Sequence, residues 1–461
     1  MIFPQFLLSL YRINLVKQVF MNYFKRKIDL ELQQWSREKR RKPLMLRGAR
    51  QVGKTSAVRY LGKRFKYFFE VNFENKDHLA AKTIFSQHSD PQIICSELAV
   101  LFGKPIVVGE TLLFLDEIQS CTDAISSLRF FYEQLPALHV IAAGSLLEFA
   151  LEEIPTYGVG RIDSMFMYPF SFNEFLCASG FEVWAKIIDE ATPDRPVSLP
   201  VHEKIIEQLK NFLIIGGMPE VVAEFVETHD FLRCQKVMNS MLISFRNDFA
   251  KYKNRIPAAR INEVFSSVSH QAVGKFVYEH VSQNLHNEQV KKSLELLLMA
   301  GLCYQVTHAS ADGVPLGAKI NPKYRRIIPF DTGIYQRILN LDISGILLSN
   351  DFETVNKGAV AEIFVGCELK KNASCHTDDE LYCWVREKKN ANAQIDYIVQ
   401  RNRSIVPIKV KSGKQGKMQS LWIFLKEKNA DYGIRTSIEN FGRYQNIAVY
   451  PLYAIGNVYK N

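Results

Sequence analysis

The sequence predicts an α/β fold whose core is a parallel β-sheet with helices on both faces. Apolar runs with the length and composition of buried strands occur at residues 44–46, 67–73, 111–117 and 139–145. Helix-compatible stretches separate these runs, and alternating strands and helices produce parallel sheets. The chain has 461 residues, of which 47% are hydrophobic and 23% charged. A globular chain of this length exceeds one hydrophobic core and divides into roughly three or four domains.

The first strand leads into a loop with the Walker A pattern, since residues 48–55 read GARQVGKT. Glycines let backbone N–H groups wrap a phosphate chain, the lysine reaches the β- and γ-phosphates, and the Thr55 hydroxyl can bind Mg²⁺. The following helix adds unpaired N–H groups at its N-terminus. We therefore expect a nucleotide to contact nine consecutive residues, which are Gly48, Ala49, Arg50, Gln51, Val52, Gly53, Lys54, Thr55 and Ser56.

The third strand ends in two carboxylates, Asp116 and Glu117, as a Walker B strand does. Parallel strands deliver the side chains at their carboxyl ends to one edge of the sheet. Asp116 is expected to hold Mg²⁺ together with Thr55, and Glu117 to orient the attacking water while Lys54 stabilises the phosphate charge. A core strand followed by a helix-capping aspartate is the alternative, which the upstream Walker A pattern disfavours.

The fourth strand ends in Gly144 and Ser145. A hydroxyl at this edge of the sheet is placed to sense the γ-phosphate. An ordinary serine that ends a core strand explains the same spacing equally well, so both interpretations stay open.

Several of these segments together resemble the prokaryotic AAA-type ATPases that precede a C-terminal domain of unknown function. They are RQVGKT at 50–55, FLDEIQ at 114–119, AGS at 143–145, Gly160-Arg161, YPFSFNEF at 168–175 and GGMPE at 216–220. The resemblance extends from about residue 21 to the C-terminus. It implies an additional-strand P-loop ATPase that uses ATP and Mg²⁺. It also implies a catalytic phosphate contact for Arg161, within its own subunit or across an interface, against the alternative of a surface arginine.

The sequence further predicts how the chain divides. The predicted segments are an upstream mis-start or extension at 1–20, an N-terminal helix at 21–42 ending in a basic cluster, the P-loop ATPase core at 43–190, a helical lid at 201–252, a winged-helix-like domain at 255–340 and a C-terminal domain at 345–461. Prolines and polar residues between positions 190 and 200 indicate the connection before the lid. Lid motion is a common way for such ATPases to convert nucleotide binding into conformational change.

The segment after the lid has the layout of a winged helix-turn-helix. Helical stretches are predicted at 259–270, 274–281 and 287–299, followed by a β-hairpin. The third helix carries Gln289, Lys291 and Lys292 and has the length of a recognition helix. It also carries acidic residues, so a spacer or partner-docking role is slightly favoured over base readout.

The C-terminal segment resembles a PD-(D/E)xK nuclease, a restriction-nuclease-like α/β fold. Glu362 on a helix, Asp396 on a strand and Lys411 on the next strand follow the order of that site. Lys409 stands where the nuclease pattern has a glutamate. A cation there removes an oxygen ligand and repels Mg²⁺, so we expect a degenerate site without ordinary nuclease activity. A nuclease-derived nucleic-acid-binding domain and a rigid interaction domain remain open.

The net charge limits the classes of partner that we expect, and the cysteine content indicates the redox compartment. The formal net charge of +10 favours an acidic partner, nucleic acid first, although a solvated basic face gives the same value. The basic run in the C-terminal segment is Arg401, Arg403, Lys409, Lys411, Lys414 and Lys417. The eight cysteines form no Cys-x-x-Cys pair and no histidine grouping expected to make a zinc site, so reduced thiols of a cytoplasmic protein without a membrane segment are predicted.

These observations favour an ATPase switch that rearranges C-terminal domains holding nucleic acid or a protein, with oligomerisation open. An ATP-bound signalling or interaction module with little hydrolysis is the alternative. An active DNA nuclease is the weaker one, because Lys409 counts against it.

Overall fold

The computed structural model describes residues 23–145, 147–153, 160–252, 256–340, 357–387, 393–411 and 418–460. The predicted mis-start at residues 1–20 and the basic residues Lys414 and Lys417 therefore lie outside the described residues. Within the described ranges the strands form two sheets, one of five strands and one of eight.

The five-stranded sheet is the predicted parallel sheet. Its strands are β1 (Leu44–Arg47), β2 (Tyr67–Asn72), β3 (Thr111–Asp116), β4 (His139–Ala143) and β5 (Asp163–Phe166), in the order β2-β3-β4-β1-β5. All four pairings are parallel. Strand β4 lies between β1 and β3, which is the additional strand that the family resemblance implied. Strand β5 at the edge was not predicted from the sequence.

Helices cover both faces of this sheet because its strands are buried on both sides. Leu112 and Phe114 of β3 pack into one apolar cluster, whereas Leu113 and Leu115 pack into another. The surrounding helices are α1 (Ile28–Arg37), α2 (Lys54–Gly62), α3 (Leu79–Gln87), α4 (Pro91–Phe102), α5 (Thr122–Gln134) and α6 (Leu147–Glu153). The alternation explains why β3 reads as a continuous apolar run instead of a polar–apolar pattern.

The segment after β5 is helical, as predicted for residues 201–252. It contains α7 (Phe172–Ala178), α8 (Glu182–Glu190), α9 (Leu199–Ile215), α10 (Pro219–Thr228) and α11 (Phe231–Asp248). Helix α7 begins with a capping box in which the Ser171 side chain and Glu174 each bond the other's backbone N–H. Proline stands in the first turn of α9 and of α10, where its missing N–H has no helical partner to lose.

The predicted winged helix is present only in part. Helices α12 (Ala258–His270) and α13 (Asn287–Met299) form, but the predicted middle helix is a 3₁₀ turn at Tyr278–His280. The hairpin of β6 (Cys303–Ala309) and β7 (Ile320–Pro329) also forms. Strand β6, however, pairs in parallel with a strand of the C-terminal segment, so the hairpin is not the wing of a separate domain.

The C-terminal segment completes the eight-stranded mixed sheet. After α14 (Thr332–Ile338) and α15 (Lys357–Asn372) come β8 (Leu381–Val385), β9 (Gln394–Arg401), β10 (Ser404–Val410), α16 (Gln419–Lys428), β11 (Gly433–Ser437), β12 (Gly442–Tyr444) and β13 (Ile447–Pro451). The strand order is β12-β13-β11-β10-β9-β8-β6-β7. The sheet therefore crosses the domain boundary that we predicted between residues 340 and 345.

A continuous apolar cluster joins the two halves of the chain, since its buried members extend from Ile28 to Val458. All eight cysteines are free thiols. In the described ranges, no helix combines the length and the apolar character needed to cross a membrane.

Candidate functional site

The Walker A loop lies between β1 and α2, and its backbone is fixed by close packing. Gly48 has φ of +134°, and a Cβ at this position would lie 2.1 Å from the backbone carbonyl oxygen of Met167. Gly53, with φ of +99°, is the N-cap residue of helix α2. Buried Lys54 donates hydrogen bonds of 2.8 Å to the carbonyl oxygens of Gly48 and Ala49. The lysine thus bonds the loop from inside.

Burial lowers the pKa of Lys54 to about 8, while the charges of Glu117 and Asp116 act in the opposite direction. The ammonium group therefore remains the main form at neutral pH. It lies close to the carboxylates at the end of β3, which is the arrangement that a phosphate-binding lysine needs.

Asp116 at the end of β3 is buried and contacts the Walker A helix. The Thr55 hydroxyl lies 3.2 and 3.3 Å from its two carboxylate oxygens, and the Asn72 side-chain amide donates to one of them at 3.1 Å. Burial raises the pKa of Asp116 to about 6, and the neighbouring Glu117 charge acts in the same direction. A carboxylate and a hydroxyl at this separation are oxygen donors of the kind that Mg²⁺ takes, so these residues fit that ion.

Glu117 has a left-handed backbone, with φ of +50°, which turns the chain sharply after β3. Its carboxylate accepts a 2.7 Å hydrogen bond from the Gln119 side chain, and the Ser145 hydroxyl lies 3.5 Å away. The structure thus brings Ser145 from the end of β4 to Glu117, as the strand order requires. Gln119 was not predicted as a site residue, although it follows the acidic pair by two positions.

Most of the predicted residues line one cleft of about 480 Å³, which we call the Walker cleft. Its lining includes the predicted Arg50, Gln51, Gly53, Lys54, Thr55, Ser56, Asp116, Glu117 and Ser145. Two walls were not predicted. Tyr23, Phe24 and Arg26 precede α1, and Pro219, Glu220 and Ala223 belong to α10. The volume is within the usual range of small-molecule sites.

Arg26 was missed by the sequence analysis, yet its side chain joins the Walker A loop to its surroundings. It donates to the Val52 carbonyl at 3.1 Å, to the Tyr168 carbonyl at 2.8 Å and to the Glu174 carboxylate at 3.0 Å. Its guanidinium also lies 4.0 Å from the ring centroid of Phe170. The only signal in the sequence was its place in the family-like start at residues 21–27.

Two predicted arginines pair with acidic residues, Arg161 outside the Walker cleft and Arg50 within it. Arg161 is exposed and pairs with Glu133 of α5, and it is not among the lining residues of the Walker cleft. Arg50 lines the cleft and pairs with Asp248 at the end of α11. Val52 is fully buried, and its carbonyl accepts a hydrogen bond from the Arg26 side chain.

The second predicted constellation also comes together. Asp396 of β9 accepts a 2.7 Å bond from Lys409 Nζ and a 2.8 Å bond from the Val410 backbone N–H. Glu362 of α15 pairs with Arg326 of β7, a fully buried residue that the sequence analysis missed. Burial raises the pKa of Glu362 to about 7, whereas the Arg326 charge acts in the opposite direction.

These residues do not fit a divalent cation. Each carboxylate has a cationic partner, and both oxygens of Asp396 already accept hydrogen bonds. Arg326 also donates to the Asp396 carbonyl, which locks β7 to β9. Lys411 follows β10, and its backbone N–H donates to the Thr436 carbonyl at 2.8 Å. The arrangement is a charge-paired core.

Part of the predicted basic run is occupied by contacts within the chain. Arg401 bonds the Tyr432 hydroxyl and the Lys460 carbonyl, and Lys409 bonds Asp396. On the predicted recognition helix, Lys291 and Lys292 pair with Glu295 and Glu288 of the same helix. These pairings reduce the cationic surface that the sequence suggested for nucleic acid.

Comparison with known proteins adds family matches for three parts of the chain. Residues 40–176 match a family model described as an AAA domain. Residues 206–344 and 357–455 match two models described as domains of unknown function, DUF8612 and DUF4143. No curated protein matches the chain.

Three solved structures are similar at low identity. A Walker-type ATPase of Pyrococcus abyssi is 15% identical, with 69% of this chain and 96% of that chain covered and a TM-score of 0.43. The ORC1 protein of Aeropyrum pernix in complex with DNA is 11% identical, with coverage of 70% and 94% and a TM-score of 0.28. Protein VC1899 from Vibrio cholerae is 9% identical, with coverage of 90% and 96% and a TM-score of 0.18.

These TM-scores are low, so the assignment rests on the family match and on the residues of the Walker cleft. The parallel sheet places β4 between β1 and β3, and the matched range contains both the Walker A loop and the paired carboxylates. Residues 40–176 are therefore similar to an AAA domain, with a parallel sheet like that of P-loop ATPases.

Proposed function

We propose that the protein is a Mg²⁺-dependent ATPase whose Walker cleft controls the helices and the sheet that follow it. The observation that carries the proposal is the convergence of Lys54, Thr55, Asp116 and Glu117 on one cleft. Lys54 and the backbone N–H groups of residues 50–55 would hold the phosphates of ATP. Thr55 and Asp116 would hold Mg²⁺, which when bound neutralises charge on the phosphates.

Glu117 is the residue that orients the attacking water in this proposal. Its left-handed backbone and the 2.7 Å bond from Gln119 fix the carboxylate at the rim of the cleft. Ser145 lies 3.5 Å from the same carboxylate and lines the cleft, so it is assigned the contact that senses the γ-phosphate. Arg161 is assigned the catalytic contact that the family resemblance implies, and its position outside the cleft favours a role across a subunit interface.

The conformational switch is proposed because α10 forms one wall of the Walker cleft and Gly217, two residues before this helix, bonds the rest of the chain. The Gly217 N–H donates to the carboxylate of Asp331 at 2.6 Å, just before α14, and the Gly217 carbonyl accepts from the Phe170 N–H at 2.7 Å. A shift of α10 on nucleotide binding would move both contacts. Helices α9, α10 and α11 thus act as the predicted lid.

The C-terminal half reaches the same junction through α15. Its Lys371 donates to the Phe170 carbonyl at 2.9 Å, and its Glu368 accepts from the Phe172 N–H at 3.2 Å. The other end of α15 carries Glu362, which pairs with Arg326. We propose that this helix transmits the state of the cleft to the eight-stranded sheet, which holds the partner, either nucleic acid or a protein.

Hydrolysis is tested with purified protein and Mg²⁺-ATP. Glu117→Gln should abolish turnover and retain nucleotide binding, whereas Lys54→Ala should lose binding. The matched controls are Glu110→Gln, before the other end of β3, and Lys63→Ala, just after α2; both should behave like wild type. Binding without turnover in the wild type would instead favour the signalling module, and turnover that survives Glu117→Gln would refute the catalytic assignment.

The switch is tested by hydrogen exchange of the Glu117→Gln protein with ATP, with ADP and without nucleotide. We expect ATP to change the protection of α10 and α15 as well as that of the Walker A loop. Changes confined to residues 43–176 would contradict coupling to the C-terminal half.

The partner is tested by DNA and RNA binding at increasing salt. Binding through phosphate contacts weakens as salt rises, and charge reversal at Lys411 should weaken it further. Absent or salt-insensitive binding would favour a protein partner. Cleavage of DNA that depends on Asp396 would refute the degenerate-site interpretation.

A further inference from the structure

Across the described parts of the chain, one group of three residues has side chains suited to bind a metal together. Glu31 of α1 meets Cys375 and His376, which lie in the turn after α15. Their ligand atoms all lie within 4.8 Å of one another. The Glu31 carboxylate and His376 Nε2 are 3.3 Å apart, although the residues are 345 positions apart in the sequence.

The 3.3 Å between Glu31 and His376 matches a small tetrahedral ion, and the Cys375 sulfur, within 4.8 Å of both, would lie in the same range when an ion is bound. Zinc binds thiolate sulfur at about 2.3 Å and imidazole nitrogen or carboxylate oxygen at about 2.0–2.2 Å, so neighbouring ligands in a tetrahedron lie roughly 3.3–3.7 Å apart. The donor set contains sulfur and nitrogen, which select transition metals over the oxygen-binding Mg²⁺. The ATPase cofactor is therefore a poor competitor for these residues.

The backbone on the Cys375 side is held in place independently of any ion. The carbonyl of Cys375 accepts a 2.7 Å hydrogen bond from the Phe166 N–H at the end of β5. The His376 N–H donates to the Ser374 hydroxyl at 3.2 Å. The turn is thus fixed to the ATPase sheet, and Cys375 and Glu31 reach the site from half-buried positions, whereas His376 is exposed.

The surroundings supply access and charge. The three residues line an open cleft of about 470 Å³ that also includes Lys27 and Lys371. Burial and the Glu31 charge raise the pKa of the Cys375 thiol to about 11, and Lys27 acts in the opposite direction. A metal ion would displace the thiol proton to solvent and form the metal–sulfur bond, as thiolate ligands require.

We propose that Glu31, Cys375 and His376 form a transition-metal site, best suited to Zn²⁺, that joins α1 to the C-terminal half of the chain. Water would complete four-coordination. The site goes beyond the proposed ATPase function and does not depend on it. The sequence-based expectation of no zinc site considered only the spacing of cysteines and histidines, and it had no means of bringing Glu31 beside them.

The consequence would be a clamp near the Walker cleft. Glu31 lies five residues after Arg26, whose side chain bonds the Val52 carbonyl of the Walker A loop. A metal at the site would hold α1 against the turn after α15, so removing it would loosen the contact between the two halves.

The test is a Co²⁺ titration of the full-length, chelator-treated protein in a phosphine reductant. We expect one equivalent to bind with the near-ultraviolet absorption band of a cobalt–thiolate bond, and Zn²⁺ to displace it. Cys375→Ser should lose the band. His376→Asn and Glu31→Gln, at positions that are not fully buried, should weaken Co²⁺ binding by more than about tenfold while the far-ultraviolet circular dichroism stays unchanged.

The matched control is Cys177→Ser, since Cys177 is another partly buried thiol in the same half of the chain as Glu31. This variant should keep the band. No band in the wild-type protein would overturn the proposal, and so would a band that survives Cys375→Ser. Unchanged affinity in both His376→Asn and Glu31→Gln would overturn it even if the cysteine variant failed to fold.

Discussion

The Arg26–Glu174 pair gives the sharpest prediction about what stabilises the Walker cleft. The Arg26 and Glu174 side chains are only 5% and 14% exposed. Burial by itself raises the pKa of Glu174, but the Arg26 charge and hydrogen bonds bring that pKa below its usual value. The carboxylate therefore stays ionised inside the protein because Arg26 is beside it.

Removing Arg26 leaves that charge buried without its partner. Breaking a buried pair in this way costs about 3–5 kcal/mol, and the lost contact with the Phe170 ring adds about 0.5–2 kcal/mol. Two backbone donors, the N–H groups of Lys27 and Ser171, remain on Glu174 at 2.7 and 2.9 Å and reduce the loss. We expect Arg26→Ala to lower the free energy of opening of this region by about 3–4 kcal/mol.

The assay is native-state hydrogen exchange of α1 and the Walker A loop, because exchange reports local opening without assuming one global transition. Lys25→Ala is the matched control, since its side chain is exposed next to Arg26, and it should change the opening free energy by less than about 0.5 kcal/mol. Adding Glu174→Gln to Arg26→Ala should recover part of the loss, because a neutral amide replaces the stranded charge. A loss below about 1 kcal/mol, or no recovery in the double variant, would refute the reasoning.

Three further predictions follow from buried groups. Burial lowers the pKa of His139 to about 4, so its stabilisation is complete above about pH 6.5 and is lost as pH falls; wild type should lose about 1–2 kcal/mol by pH 5 in urea unfolding, and His139→Asn should not show this step. Gly217→Ala would place a Cβ 2.3 Å from a backbone carbonyl and should lower the melting temperature, whereas Gly358→Ala, where a Cβ meets nothing within 4 Å, should not. Arg326→Met should cost about 3–5 kcal/mol in the opening free energy of β9, measured by hydrogen exchange, and adding Glu362→Gln should return part of it; equal values for the single and double variants would contradict this.

Local sequence was sufficient to predict the parallel sheet, the Walker A loop and the paired carboxylates. The four apolar runs, the glycine loop and the paired carboxylates each depend on neighbouring residues, and parallel pairing then brings Thr55, Asp116 and Ser145 to one edge of the sheet. The structure confirms the parallel sheet and the helical segment after it. The short edge strand β5 was missed because four residues, of which only two are apolar, give no clear alternation.

The contacts that the sequence could not reveal are long-range and involve single charged side chains. Arg26 reaches Glu174 across 148 positions, and Arg326 reaches Glu362 across 36. In the basic cluster that ends the predicted N-terminal helix, Arg41 is buried and donates to the Ala137 carbonyl. Residue type alone does not distinguish a solvated arginine from a buried one, because the difference lies in which distant acceptors the fold supplies.

The winged-helix prediction was wrong in its middle helix for a local reason. Residues 274–281 begin with a glycine and contain the β-branched Val277 and Val281, which disfavour a helix, and a single 3₁₀ turn forms there instead. The β6–β7 hairpin was correctly predicted, but its pairing with strand β8 was not. Strands β6 and β8 pair although they lie on opposite sides of the predicted domain boundary, and no local sequence pattern predicts which distant strand will pair with β6.

That pairing decides how the protein can be divided for experiments. A fragment that starts at residue 345 would contain β8 without β6, and the freed strand edge would present unpaired N–H and C=O groups to other molecules. Such a fragment is expected to aggregate, whatever its ligand. A fragment that starts near residue 256 would retain the hairpin and all eight strands, but it would expose the face of the continuous apolar cluster that packs against the N-terminal half. The full chain is therefore the unit that we expect to remain monodisperse in gel filtration.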